Sequence, residues 1–216
     1  VVESFNRLLE DYGLRDASNV KNTLQKFIIP YGVKKIGHDA FRECKSLKEI
    51  GISDSVTSIG RETFSGCKSL KEITIPNGVK SIRFCVFNGC ESLKEITIPN
   101  GVTEIYSNAF KDCTSLKKVT IPSSVEAIDL GAFRGCTSLE KVKIPENVTE
   151  IGNFTFDKCK SLREIEISDR VRSIGNCAFE RCESLKEITI PNSVIEMGYN
   201  IFNGCKSLEK VKILGR

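Results

Sequence analysis

The sequence lacks tryptophan, and it has one methionine and one histidine among its 216 residues. No apolar run approaches the roughly 18 residues that a membrane-spanning helix needs, so membrane insertion is not expected. The net charge is only +4, because lysine and glutamate are interleaved along the whole chain. A surface dedicated to nucleic acid is therefore not expected. The chain begins at Val1 without a signal-peptide pattern, so we expect a processed or excised chain, and its compartment stays open.

The sequence consists largely of one unit of 23 residues that is repeated along the chain. Its most regular marker is a cysteine that recurs at this period, at Cys44, Cys67, Cys90, Cys113, Cys136, Cys159, Cys182 and Cys205. A fixed period of about 20 to 50 residues indicates a solenoid, in which each unit buries its apolar side chains only against its neighbours. We therefore predict one elongated domain rather than two globular ones.

Seven apolar positions recur in each unit, and in one unit they are Leu47, Ile50, Ile52, Val56, Ile59, Phe64 and Cys67. The first three predict a short alternating strand that places Glu49 and Gly51 outward. Val56 and Ile59 predict a second short strand, and a tight turn or single helical turn carries the phenylalanine and the cysteine. Proline ends several of the first strands, because it lacks the donor that would extend the ladder. Asn-Gly pairs then turn the chain, since both residue types tolerate positive φ.

Residues 1–23 stand outside the repeat. Their apolar residues recur at spacings of three and four, which predicts an amphipathic helix that caps the first rung. The repeat array occupies residues 24–216, as one half repeat followed by eight units. No capping segment follows Ile213, so we expect the last rung to be uncapped and an end-to-end homodimer to be available to it.

The unit Leu-x-x-Ile-x-Ile-Pro-x-x-Val-x-x-Ile-Gly-x-x-Ala-Phe-x-x-Cys-x-Ser occurs from Leu162 to Ser184, with Ser168 in place of proline. It resembles the 23-residue Treponema pallidum type of leucine-rich repeat found in BspA-like proteins, and the resemblance covers residues 24–213. It implies a curved right-handed solenoid. Members of that family are mostly bacterial or protozoan surface proteins that bind host proteins or other cells. The motif belongs to the scaffold, so no ligand transfers with it.

The eight periodic cysteines are expected to form a line, with thiols about 4.8 Å apart if strand spacing sets the distance. A line cannot supply four convergent zinc ligands, and disulfides between rungs fit poorly because they need Cβ atoms about 3.5–4.5 Å apart. We predict a buried ladder whose thiols form weak hydrogen bonds to turn backbone. Cys85 and Cys177 lie outside that ladder, at a variable position, and are predicted to be exposed.

The outward positions of the first strand form a candidate protein-binding strand face. Lys118, Lys141 and Lys143 make a basic island between acidic blocks on this face. Two interpretations stay open, a charge-patterned docking surface and a solvated face with lysine-glutamate pairs. The candidate residues are Glu49, Glu72, Thr74, Glu95, Thr97, Lys118, Thr120, Lys141, Lys143, Glu164, Glu166 and Glu187.

A second candidate surface is an apolar flank at variable positions between the isoleucine and phenylalanine ladders. These side chains either form an exposed stripe that contacts a protein or fold down over gaps between turns. The residues are Phe84, Tyr106, Leu130, Phe154 and Tyr199.

Enzyme chemistry has little support, because no acid-base pair or nucleophile with its base breaks the periodicity. His38, the only histidine, is interpreted as a surface residue, and no metal or cofactor is predicted. Glycines such as Gly60 and Gly175 are interpreted as turn residues of the repeat. The predicted function is a non-enzymatic protein-binding or adhesion module on a cell surface. Two alternatives remain: a cytoplasmic scaffold or effector, which the free thiols would suit, and an engineered or structural array without a ligand.

Overall fold

Each 23-residue unit forms one rung of a parallel β-solenoid in the computed structural model of the chain, which describes residues 21–215. We number the rungs from the repeated leucine, so that rung 1 begins at Leu24, rung 2 at Leu47 and rung 9 at Leu208. The helical cap predicted for residues 1–23 lies outside the described residues, apart from residues 21–23, which are helical.

The main row of strands contains one strand from every rung. Partners in the row are 23 residues apart and parallel, as in Val142 with Ile165, because the chain returns to the same side once per repeat. Strand hydrogen bonding joins the row in three groups, over rungs 1–3, rungs 4–7 and rungs 8 and 9. The strands are β1 (Lys26–Ile29), β3 (Glu49–Ile52), β5 (Glu72–Ile73), β7 (Glu95–Thr97), β9 (Lys118–Thr120), β11 (Lys141–Lys143), β13 (Glu164–Glu166), β15 (Glu187–Ile190) and β17 (Lys210–Ile213).

The second row contains the short strands predicted around the repeated isoleucine. They pair in parallel as β2-β4 and as a six-stranded group from β6 to β16. Each strand has two residues, because one residue faces the core and the chain then bends away. The strands are β2 (Lys35–Ile36), β4 (Ser58–Ile59), β6 (Ser81–Ile82), β8 (Glu104–Ile105), β10 (Ala127–Ile128), β12 (Glu150–Ile151), β14 (Ser173–Ile174) and β16 (Glu196–Met197).

The third side of each rung consists of turns that contain two residues with positive φ. Their backbone N–H groups donate to the next rung, as in Cys85 N to Ser107 O at 3.2 Å and Asp112 N to Arg134 O at 2.7 Å. The first set has φ between 53° and 62° and comprises Asp39, Glu62, Cys85, Asn108, Gly131, Phe154, Cys177 and Asn200. The second set has φ between 56° and 76° and comprises Glu43, Gly66, Gly89, Asp112, Gly135, Lys158, Arg181 and Gly204.

The Asn-Gly pairs turn the chain as predicted, but they do so without positive φ. Among the described residues, Asn77-Gly78 and Asn100-Gly101 are absent from the positive-φ set. The turn there closes with a bond from Val79 N to Pro76 O of 3.0 Å, which is the four-residue pattern of an ordinary β-turn. The predicted turn is therefore confirmed, and it needs no left-handed residue. The same closure occurs without proline, from Val56 N to Ser53 O at 3.0 Å and from Val171 N to Ser168 O at 3.1 Å.

Stacked side chains fill the interior, as the repeat predicted. Seven phenylalanines from Phe41 to Phe179 have no exposed surface. Consecutive rings from Phe41 to Phe202 lie 5.2–5.9 Å apart between centroids and are nearly parallel. Burial of one such side chain contributes roughly 1.5–3 kcal/mol to folding. The leucine, isoleucine, valine and cysteine columns are buried beside them, so the core runs through the whole array.

The cysteine ladder is confirmed. All ten cysteines are free, and the thiol of each ladder cysteine from Cys67 to Cys205 donates to a phenylalanine carbonyl of the preceding rung. The exposure predicted for Cys85 and Cys177 was wrong, because only 8% and 9% of their surfaces are accessible. Both residues occupy the first left-handed position of the turn, with φ of 53° and 55°.

The glycines that follow the second-row strands serve close packing and not positive φ. A Cβ added at Gly60 would lie 2.6 Å from the backbone nitrogen of His38, and one at Gly175 would lie 2.6 Å from that of Asn153. Neither glycine has positive φ, so the interpretation as turn residues is replaced by close contact between successive rungs. A side chain at these positions requires the preceding rung to move.

Candidate protein-binding surfaces

The strand face is the exposed side of the main row. All twelve candidate residues predicted for it are exposed, because the pleat sends alternate side chains outward from strands whose other side chains are buried. A groove of about 780 Å³ crosses this face over rungs 1–4. Its lining includes Glu49, Glu72 and Glu95, with Thr74 and Thr97 beside them.

Two of the three lysines in the basic island of the strand face have ion-pair partners, whereas Lys118 has none within residues 21–215. Lys141 Nζ lies 2.6 Å from Glu164 Oε1 and 3.2 Å from Glu166 Oε1, and Lys143 Nζ lies 3.7 Å from Glu166 Oε2. The hydrogen bonds that Lys141 donates, first to Glu164 and then to Glu166, raise the pKa of Lys141. These pairs are open to water, so they contribute little to folding. Their effect is to leave little unpaired charge on rungs 6 and 7.

Rungs 2–4 of the same face each carry one glutamate of the first outward column, and two of these three glutamates are unpaired among the described residues. Lys26 binds Glu49 at 2.7 Å, and the hydrogen bond lowers the pKa of that carboxyl. Within residues 21–215, Glu72 and Glu95 have no ion-pair partner. The glutamates form one stripe, and a parallel stripe of Lys48, Lys71 and Lys94 lines a second groove of about 430 Å³ beside it. We call these two adjacent rows the charged stripes.

The five residues of the apolar flank lie in three different columns of the repeat. Phe84 and Leu130 are 44% and 45% exposed, and Tyr199 is 82% exposed, whereas Tyr106 and Phe154 are half-buried. Phe154 lies under the guanidinium of Arg134, whose Cζ is 5.2 Å from the ring centroid. The structure therefore brings Phe84 and Tyr106 into one cleft and places Phe154 in a separate contact.

That cleft contains residues which the sequence interpretation left out. It has a volume of about 290 Å³ and is lined by His38, Arg61 and Arg83 together with Phe84 and Tyr106. His38 was interpreted as an isolated surface residue. Aligning the rungs at 23 residues would have placed its position beside those of the two arginines.

A buried carboxylate lies beside the Arg134 contact. Asp157 is 1% exposed, and its Oδ2 accepts a hydrogen bond from Arg134 Nε at 2.9 Å. Its Oδ1 has no hydrogen-bond partner among residues 21–215. Burial raises the pKa of Asp157, and Arg134 partly opposes that effect. The ionised carboxylate therefore destabilises the folded state at neutral pH, and we do not interpret Asp157 and Arg134 as a catalytic pair.

The buried thiols from Cys44 to Cys182 are weakly reactive. Burial raises the pKa of the Cys44 thiol to about 11 and raises that of Cys90 further. The thiolate is the nucleophilic form, so these side chains are poor nucleophiles. Within residues 21–215 no three potential metal ligands lie together. No helix in the same range is long and apolar enough to cross a membrane.

Known structures share this architecture. A leucine-rich repeat protein from Bacteroides ovatus is 28% identical, matches 93% of this chain and 70% of its own, and superimposes with a TM-score of 0.64. The Treponema pallidum leucine-rich repeat protein is 29% identical, matches 88% of this chain and 79% of its own, and gives a TM-score of 0.68.

A leucine-rich repeat protein from Eubacterium ventriosum shows the fold alone, at 21% identity and a TM-score of 0.58 over 92% of this chain and 62% of its own. No curated protein matches the chain at a significant level. The sequence profile described as the BspA type leucine rich repeat region matches residues 17–140 and 103–215. The chain therefore belongs to the BspA-type leucine-rich-repeat family.

Proposed function

We propose that this chain is a non-enzymatic protein-binding module, displayed on a cell surface, that docks a partner protein on its strand face. The observation that carries the proposal is the groove over rungs 1–4, with the charged stripes at its edge. Membership of a repeat family typical of surface or protein-binding modules supports the same function. The partner is a protein whose own charges complement adjacent rows of glutamate and lysine.

The stripes suit recognition because their backbone is rigid and their charge is available. Successive main-row strands lie about 4.8 Å apart, so like charges repeat at that interval along each stripe. A partner that places lysine or arginine against Glu72 and Glu95 relieves repulsion between those two glutamates. The pairs in rungs 6 and 7 offer no such gain, because Glu164 and Glu166 are already bound to Lys141.

The test is capture of purified extracellular matrix proteins by the immobilised chain, compared with a double charge reversal. In the test variant, Glu72→Lys and Glu95→Lys reverse the middle of the glutamate stripe. In the control, Glu126→Lys and Glu150→Lys make the same change in charge at two exposed positions away from the strand face. We expect the test variant to lose the captured protein and the control to keep it.

Equal retention by both variants would contradict docking on the strand face. Loss from both would indicate attraction by net charge alone, which is not the proposed contact. A cytosolic lysate, offered in parallel, tests the second candidate function. That candidate is an intracellular scaffold, and the ten free thiols favour it because such thiols persist in reducing compartments.

A further inference from the structure

The cleft lined by His38, Arg61, Arg83, Phe84 and Tyr106 lies at the carboxyl ends of β2, β4, β6 and β8. In five rungs the first residue after the second-row strand is a glycine, and in four of them, at Gly60, Gly152, Gly175 and Gly198, it packs against the preceding rung. In three successive rungs that residue is large instead: Arg83, Tyr106 and Asp129. The close contact that requires glycine after the second-row strand is therefore absent from these three rungs. Charged and aromatic side chains occupy the position there.

His38 is fixed by the backbone of the next rung. Its Nδ1 accepts a hydrogen bond from the Arg61 backbone N–H at 2.9 Å. A neutral imidazole with Nδ1 as acceptor carries its proton on Nε2, which is then a donor. Within residues 21–215, Nε2 forms no hydrogen bond. His38 therefore presents one N–H group at the cleft.

Two guanidinium groups lie beside this donor. Arg61 and Arg83 are exposed, and no acidic side chain in the described part of the chain lies within ion-pair distance of either. Arg42 shows the contrast, because it binds both Asp39 and Glu62. A guanidinium offers parallel N–H donors that match the two oxygens of a carboxylate.

The aromatic residues give the cleft an apolar wall. Phe84 is 44% exposed, and Tyr106 is positioned by a hydrogen bond from its hydroxyl to Glu104 Oε2 at 2.6 Å. An aromatic surface beside arginine donors suits an anionic group attached to an apolar or aromatic carrier. The volume of about 290 Å³ is that of a site for one residue rather than a long segment.

Acidic groups at the edge restrict the charge of the ligand. Glu104 and Asp129 lie next to Tyr106, close enough for their charges to act on it and on each other. They repel a doubly charged phosphate more than a singly charged carboxylate. We propose that the cleft binds the carboxylate of an acidic residue in a partner protein, next to an apolar or aromatic group. This is a second contact, separate from the strand face.

The test uses His38 as its reporter, because the sequence has a single histidine and its imidazole NMR signals are unambiguous. N-acetylphenylalanine supplies a carboxylate beside an aromatic ring, and N-acetylphenylalaninamide is its neutral match. We expect saturable shifts of the His38 signals with the acid and none with the amide. Equal shifts with both compounds would overturn the assignment of a carboxylate, and tighter binding of phenyl phosphate would do so as well.

A charge-neutralising pair tests the donors. Arg61→Gln with Arg83→Gln removes both guanidiniums but leaves the backbone N–H that binds His38 Nδ1. We expect affinity for N-acetylphenylalanine to fall about tenfold or more, since charged hydrogen bonds are lost. The control, Arg170→Gln with Arg172→Gln, removes two exposed arginines elsewhere and is expected to bind normally. Unchanged affinity in the test pair would overturn the proposal.

Binding of the small compounds in the cleft is expected to be independent of the strand face. Failure of the carboxylate to bind would leave the capture result for Glu72→Lys with Glu95→Lys unaffected. Loss of capture in that variant would likewise leave the His38 titration unchanged. The two experiments therefore separate this inference from the proposed function.

Discussion

The interior columns and the exposed columns of this solenoid follow different rules. Inside, the same residue type recurs in nearly every rung, as in the seven buried phenylalanines. Outside, residues one period apart change from Glu95 to Lys118 and from Arg61 to Phe84. The difference arises because an interior side chain contacts its own equivalents above and below, whereas an exposed one contacts mainly solvent. We therefore propose that stability and recognition are carried by separate sets of residues, and we expect substitutions to separate the two.

The largest effect is expected from the phenylalanine ladder. Phe110→Ala leaves a cavity between the rings of Phe87 and Phe133, and such substitutions cost about 3–5 kcal/mol. Urea unfolding should show a correspondingly lower midpoint. The matched exposed change is Phe84→Ala, which should cost under about 1 kcal/mol because much of that ring already faces water. Similar losses in the two variants would contradict the division between interior and exposed columns.

A smaller effect is expected at a glycine contact between rungs. Gly175→Ala places a Cβ 2.6 Å from the backbone nitrogen of Asn153, and overpacking of this kind costs about 1–3 kcal/mol. In Gly51→Ala the nearest atom is a side-chain carbon of Ile28 at 3.6 Å, and that strand position tolerates alanine. Thermal unfolding should therefore distinguish the variants, and equal melting temperatures would show that the close contact does not limit the residue.

A pH-dependent effect is expected at Asp157. Because its pKa in the folded protein is above the ordinary 3.8, the folded state holds the proton more tightly than the unfolded state. The wild type therefore loses stability relative to Asp157→Asn as the pH rises from about 3.8 through the folded pKa. Melting temperatures of both proteins across the acidic and neutral range measure this difference.

Glu180 provides a control of opposite sign. A hydrogen bond from Cys177 lowers the pKa of Glu180 below its ordinary 4.5. Relative to Glu180→Gln, the wild type therefore gains stability as the pH rises through the folded pKa towards 4.5. If both variants differ from the wild type with the same pH trend, the burial argument for Asp157 is wrong.

The sequence predicts the interior better than the turns. The columns of Leu, Ile, Val, Phe and Cys repeat visibly, and both rows of strands follow from them. The first left-handed position does not, because its occupants include Glu62, Cys85 and Phe154, and only one is glycine. Hydrogen bonds to the next rung impose that conformation, and no single residue type marks it. The second left-handed position has glycine in four of its eight rungs, a signal that was available.

The candidate surfaces were predictable only in part. The exposed strand face follows from alternation along each strand, but the pairing of Lys141 with Glu164 and Glu166 depends on side-chain reach between rungs. The cleft proposed to bind a carboxylate joins His38, Arg61 and Phe84, which form one column over three rungs, to Arg83 and Tyr106 of the neighbouring column. Each looks like an ordinary variable residue in its own unit, so only the stacked arrangement reveals the site.

The most direct test of this separation measures binding and unfolding together in the Glu72→Lys, Glu95→Lys variant. Both glutamates are exposed and have no ion-pair partner in the described chain. The account predicts that the variant loses the captured matrix protein while its thermal unfolding matches that of the wild type. Retained binding, or a drop in melting temperature as large as that of Phe110→Ala, would contradict the claim that the strand face serves recognition and the interior serves stability.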